Sequence, residues 1–129
     1  MLDHIGLIAK DYARSKLFYK AALAPLFITV LMEVTAEQTG AGSHSGFGTN
    51  GHAFFWIGSH GLPSTGLHVA FTAQSRAIVD EFYRAALRTG GRGNGAPGLR
   101  PHYHEHYYGA FVFDPDGNNV EAVCHSAAA

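Results

Sequence analysis

With 129 residues, the chain has the length of one ordinary domain and can bury a real core. Its 47% apolar and 15% charged content excludes a disordered chain, and a formal net charge of -1 gives no electrostatic case for nucleic acid. No apolar run approaches the roughly 18 residues of a membrane span, and no basic-then-apolar leader opens the chain, so no membrane partner is expected.

Residues 2–8 form a short apolar run and predict a strand. Asp11 is a helix cap, and Leu17, Phe18, Ala21 and Ala22 make the apolar face of the helix that follows from Tyr12. Pro25 closes it. Residues 26–34 read as a second strand. The glycine-dense residues 39–51 hold a short strand around Phe47, and the β-prone residues 52–58 a further one. His44, His52 and His60 fall in Gly/Ser-rich stretches that read as solvated loops.

Residues 66–72 begin the same order again. Ser75 caps a helix whose face is Ile78, Val79, Phe82, Ala85 and Ala86, and Gly90-Gly91 stops it. Residues 92–100, rich in glycine and proline, read as a loop. Residues 107–113 and 119–123 read as strands joined by the tight turn Asp114-Pro115-Asp116-Gly117.

The order reflects an internal duplication. Asp3-His4-Ile5-Gly6-Leu7 is echoed 64 positions on by Leu67-His68-Val69-Ala70-Phe71. Phe18-Tyr19-Lys20-Ala21-Ala22-Leu23 is echoed, at the same offset, by Phe82-Tyr83-Arg84-Ala85-Ala86-Leu87. The expected architecture is α+β: one domain, residues 1–129, of two βαβββ modules, about 1–60 and about 64–125. Neither module alone has enough core to stand comfortably by itself.

Three residues carry the chemistry. His4 and His68 hold equivalent points of the two first strands, and Glu121 sits among apolar neighbours in the last. An ionised glutamate in such a strand costs several kcal/mol, roughly, unless paired or metal-bound. Two imidazoles and a carboxylate suit a divalent ion with open positions, of Fe, Mn, Zn or Ni type. The plain alternative is two hydrogen-bonded core histidines and a solvent-facing Glu121. The single cysteine, Cys124, excludes an internal disulfide framework; a packing role and a reducing, cytoplasmic setting are expected.

The D-H-I-G-L opening, the L-H-V-A-F second copy and the F-V-F-D-P-D-G-N-N-V-E-A-V ending resemble the vicinal oxygen chelate superfamily. That group includes glyoxalase I, extradiol dioxygenases, fosfomycin-resistance thiol transferases and bleomycin-resistance proteins. The resemblance covers essentially the whole chain. It implies a curled mixed sheet around a metal cup, and a homodimer, with the cup built within one chain or between two. Matched residue by residue, His4, His68 and Glu121 fall on metal ligands. The fourth ligand of glyoxalase I would fall at Ile57, taken at the His68-to-Glu121 spacing, where Phe54, Phe55 and Trp56 supply no carboxylate. His52 is the alternative fourth ligand.

The segment from Arg100 to Tyr108 alternates histidines on what would be one face. It reads either as an exposed polar stretch or as a segment entering the cup. In the second case Arg100 meets an anionic substrate, and His104 and Tyr108 join Glu121 as acid–base groups. Phe55, Trp56 and Phe113 are candidates for an apolar substrate wall, against the plain reading as core. His125 is either beside the site or merely terminal. The leading expectation is a metal-dependent enzyme acting on a small oxygen-chelating substrate by isomerisation, ring cleavage or thiol addition. The alternative is a metal-independent drug- or small-molecule-binding protein of the bleomycin-resistance type.

Overall fold

A computed structural model describes residues 1–127; Ala128 and Ala129 of the expected domain lie outside the described residues. The chain runs β1 (Ile5–Ile8), α1 (Tyr12–Leu23), a 3-10 turn (Ala24–Leu26), β2 (Thr29–Val34), α2 (Ala36–Thr39), β3 (His44–Thr49) and β4 (His52–Gly58). It continues with β5 (His68–Thr72), α3 (Arg76–Arg88), β6 (Arg92–Leu99), β7 (Tyr108–Phe113) and β8 (Asn119–Cys124). Two four-stranded mixed sheets result, ordered β1-β4-β3-β2 and β5-β8-β7-β6. In each, the first strand pairs parallel with the last and the others pair antiparallel. This is the duplicated α+β architecture expected from the repeat.

The helix starts follow the sequence. Asp11 accepts the amide of Arg14, and Ser75 accepts that of Ile78, so each satisfies a donor that the first helical turn leaves free. Pro25 ends α1 by tightening into the 3-10 turn, after which Phe27 takes a left-handed conformation at φ 62°. The second strand therefore starts at Thr29, later than the apolar run suggests.

Several local expectations are overturned. Residues 92–100 are not a loop: Arg92–Leu99 is an edge strand paired with β7, with register breaks between Gly93 and Gly95 and between Gly95 and Gly98. Bulges at an edge tolerate the glycines and Pro97 that argue against a central strand. His44 and His52 lie at strand starts rather than in loops; His60 stays in an exposed loop. The first strand begins at Ile5, leaving His4 just before it.

One apolar core lies between the sheets and helices. Phe18, Tyr19, Phe47, Phe55 and Ile57 of the first module join Phe71, Val79, Phe82, Val112 and Val120 of the second. Helices α1 and α3 pack on each other, and Phe55 meets Phe71 edge-on with centroids 5.3 Å apart. The modules are also clasped by a polar contact. The Tyr19 hydroxyl on α1 donates to Asp114 Oδ2 at 2.6 Å, fully inside. Asp114 further accepts the Asp116 and Asn118 amides and Asn118 Nδ2 at 2.8–2.9 Å. Four donors on one carboxylate explain how it stands buried.

Alternation then gives each sheet a second face. Val120, Ala122 and Cys124 of β8, and Phe55 and Ile57 of β4, belong to the core. Glu121 and Trp56 therefore point to the opposite face, called the open face below.

Candidate active site

Glu121 stands in the middle of β8, and the parallel strand β5 runs beside it with Ala70 opposite Glu121 and His68 opposite Asn119. His68 and Ala70 share a face. The small side chain of Ala70 leaves room for the imidazole to reach across, and His68 Nε2 lies 2.9 Å from Glu121 Oε1. On the other side Gly109 leaves space: a Cβ there would sit 3.4 Å from Glu121 Oε2. The Tyr107 hydroxyl fills that side and donates to Oε2. Glu121 is thereby 1% exposed, while the His68 side chain is 54% exposed. Both carboxylate oxygens have partners, so the burial cost is offset. Burial and then the bond to Glu121 push the Tyr107 hydroxyl far above its ordinary range, and it remains a protonated donor.

Tyr107 is the residue that sequence reasoning passed over. Tyr107 and Tyr108 are adjacent and face opposite ways, and the favoured one was Tyr108. That choice is corrected: the Tyr108 hydroxyl donates to Asp80 Oδ1 of α3 at 2.7 Å, with the Arg76 guanidinium 5.3 Å from its ring centre. Tyr108 serves the helix side of the sheet. Register pairs Phe111 with Glu121, so Tyr107 reaches the carboxylate only because its long side chain lies back past Gly109, a contact that spacing does not signal.

His104 does not reach Glu121. Its Nε2 is 2.6 Å from Nδ1 of His125, the two rings stack at 4.8 Å, and its Nδ1 accepts the His106 amide. Tyr107 packs edge-on against both rings, at 5.5 and 5.4 Å. The pair thus backs Tyr107 rather than touching the carboxylate. Arg100 is also committed elsewhere. Its terminal nitrogens donate to Gly98 and Ala96 carbonyls at 2.8 and 2.7 Å, and its plane lies 5.4 Å from the Phe111 centroid. It braces the bulged strand β6, and Phe111 in turn flanks His68 at 6.2 Å.

Of the aromatic wall, Phe55 is core, packed against Tyr19 and Phe71, and lines the groove beside His4 rather than the open face. Trp56 does face it, and so does Phe113, beside which Arg92 sits 5.1 Å away. Register also corrects the position of a fourth ligand. Gly6 pairs with Trp56 just as its repeat equivalent Ala70 pairs with Glu121. The counterpart of Glu121 is therefore Trp56, and Ile57 lies in the core.

His4 stands apart. Its Nδ1 bonds Asp3 Oδ1 at 2.7 Å, its side chain is 59% exposed, and His52 Nε2 turns to the Asp3 carbonyl at 3.0 Å. His4 edges a groove of about 530 Å³ between the starts of β1 and β5, walled by Ile5, Leu26, Phe54, Val69 and Phe71. Among the described residues no three His, Cys, Asp or Glu side chains gather as a metal-holding group. Within one chain, His68 and Glu121 supply two adjoining donors of the right chemistry, one short of the three protein ligands of an open metal site. Among the described residues no helix is long and apolar enough to cross a membrane.

The fold is shared with known structures. A glyoxalase/bleomycin resistance protein from Albidiferax ferrireducens T118 superposes at a TM-score of 0.79 with 28% identity, over 98% of this chain and 99% of that one. Lactoylglutathione lyase from Agrobacterium tumefaciens matches at 0.65 and 18% identity, over 96% and 92%. Glyoxalase I from Zea mays matches at 0.73 and 20% identity; 95% of this chain covers 45% of that one, so the chain spans about half its length. No curated protein matches the sequence significantly. The family model described as Glyoxalase/Bleomycin resistance protein/Dioxygenase superfamily matches residues 1–122, and the chain belongs to that superfamily.

Proposed function

We propose that the protein is a metal-dependent enzyme whose ion is held by His68 and Glu121 of one copy and His4 of a second, in a homodimer. The observation that carries this reading is the buried Glu121 carboxylate with His68 Nε2 at 2.9 Å on the same face. A buried carboxylate beside an exposed imidazole is two of the three members of a His-His-carboxylate set, and nitrogen and oxygen donors of this kind suit Fe, Mn, Zn or Ni. The ion would supply Lewis acidity to a small substrate that presents two neighbouring oxygens.

The chain's own residues prepare that site. Tyr107 holds Glu121 Oε2 and leaves Oε1 turned to His68. Such an outer partner fixes the orientation of a ligand. His104 and His125 keep the Tyr107 ring in place from behind. Glu121 would be the carboxylate that moves a proton at a bound substrate, and Trp56 stands where glyoxalase I would have its second carboxylate. That replacement weighs against glyoxalase chemistry and towards a three-ligand site.

Mixed dimers test the reading. His4→Ala and Glu121→Gln copies, each alone, are expected to bind no ion. In a mixed dimer one cup carries both substitutions and the other carries neither, so half of the parent metal content should return. Absence of any recovery would overturn the shared cup. The apolar groove between β1 and β5 favours a second reading, a metal-independent small-molecule binder of the bleomycin-resistance type. Ligand binding that is indifferent to divalent ions would select it.

A further inference from the structure

We infer that the open face of the first module is a stacking platform for a planar conjugated small molecule, with Trp56 as its floor. This deepens the reading above, on which only the placement of the substrate's chelating oxygens rests.

Trp56 lies between two glycines in register, Gly6 of β1 and Gly46 of β3. A Cβ at Gly46 would stand 2.8 Å from Cη2 and Cζ2 and 2.9 Å from Cε2 of the indole. Three consecutive ring atoms at one distance place that point over the ring face. An edge-on approach would make the middle atom much the nearest. The indole therefore lies flat across Gly46, and no side chain larger than hydrogen fits beneath it. Its second face is turned away from the sheet, and Trp56 is half-buried while its neighbours Phe55 and Ile57 are wholly inside.

The next rung brings a second ring to the same face, edge first. His44 pairs with Gly58, and a Cβ at Gly58 would meet Nδ1 at 2.8 Å and Cε1 at 3.1 Å of the imidazole. One flat ring thus lies on a glycine, and beside it the Nδ1–Cε1 edge of a second ring presents a hydrogen-bonding nitrogen. A surface of this shape gains most from a ligand that is itself flat, because offset stacking maximises contact and matches ring quadrupoles. A puckered aliphatic ring touches it at few atoms. Trp56 occupies the position that Glu121 holds in the other module. In an assembled cup, a ring on Trp56 would direct its oxygens towards His68 and Glu121.

Trp56 is the single tryptophan of the chain, so its fluorescence reports on the platform alone. The probes are nitrophenol, planar with one hydroxyl; nitrocatechol, planar with two; and cyclohexanediol, with two hydroxyls but puckered. The planar probes should quench the emission saturably, and cyclohexanediol should not. By calorimetry, Trp56→Leu should weaken nitrophenol binding roughly tenfold and Trp56→Phe less, the scale of one aromatic pair. Gly46→Ala, which lifts the indole, should weaken it with the sheet spectrum intact. Nitrophenol affinity should be the same with and without added divalent ion, which separates this proposal from the metal reading. Absence of saturable quenching, or equal affinity in Trp56→Leu, would overturn it.

Discussion

The two modules share their strand order and pairing, yet their open faces differ. The second module sets a buried carboxylate, an imidazole and a phenol side by side. The first sets Trp56 flat on Gly46 and offers no carboxylate at the equivalent position. Duplication preserved the half of each strand that faces the helices, where core packing constrains every volume. It freed the other half, where only the ligand constrains the side chains. The division of labour is legible at one rung: Trp56 stands in the first module where Glu121 stands in the second.

The largest expected effect is at the seam that joins the modules. Asp114→Ala removes the acceptor of four buried donors, among them the Tyr19 hydroxyl, and should destabilise the fold by about 3 kcal/mol. Urea unfolding should then show two separated transitions or one at a much lower midpoint; an unchanged midpoint would mean that the modules hold together by packing alone. Next is Glu121→Gln, expected to lower metal affinity at least tenfold on a calorimeter, whereas Trp56→Leu should leave it near the parent value.

The adjacent tyrosines separate the two faces of one sheet. Tyr107→Phe releases Glu121 Oε2 and should weaken metal binding severalfold. Tyr108→Phe removes only the bond to Asp80, with a cost of about 1 kcal/mol in stability and none in metal affinity. Reversal of that pattern would put the site on the wrong face.

The seam also has a pH signature. Burial, then the Asp114 carboxylate, push the Tyr19 hydroxyl well above its ordinary value of 10.0. The folded state therefore holds this proton more tightly than the unfolded one. The stabilisation is complete below pH 10.0 and is lost as pH rises from there towards the folded-state value. Tyr19→Phe should flatten the alkaline fall in stability. The smallest effect is expected from Glu33→Gln, which breaks a surface contact with Lys16 and should not move the unfolding midpoint measurably.

Much of the architecture could be read from the chain because its signals are local. The two caps, Pro25 and the echoed helices need no partner strand to be understood. Strand β6 was not legible, since an edge strand with bulges has the composition of a loop, and its pairing to β7 is a fact about another segment. The same holds for the site. Glu121 and His68 announce themselves by a carboxylate in an apolar strand and by the repeat, and they meet. His4, drawn to them by the same symmetry, bonds Asp3 within its own chain. Which of the adjacent Tyr107 and Tyr108 meets Glu121 is set by the register that pairs Tyr108 with core-facing Cys124, a fact about another strand.

The repeat offset has a consequence for how such copies diverge. Ile5 faces Phe55, but its equivalent Val69 faces Val120, one residue further along than the helices' spacing would give. A regular strand cannot absorb one extra residue without turning its side chains over, so the insertion resides in a connection or in a bulge such as that opposite Phe47 and Gly48. Turns and bulges thus act as the hinge of inheritance: they drift in length while the paired segments keep their faces. Descendants of such a duplicated ancestor should be compared rung by rung along the ladder, because counting residues from one end mistakes a core isoleucine for the heir of a ligand.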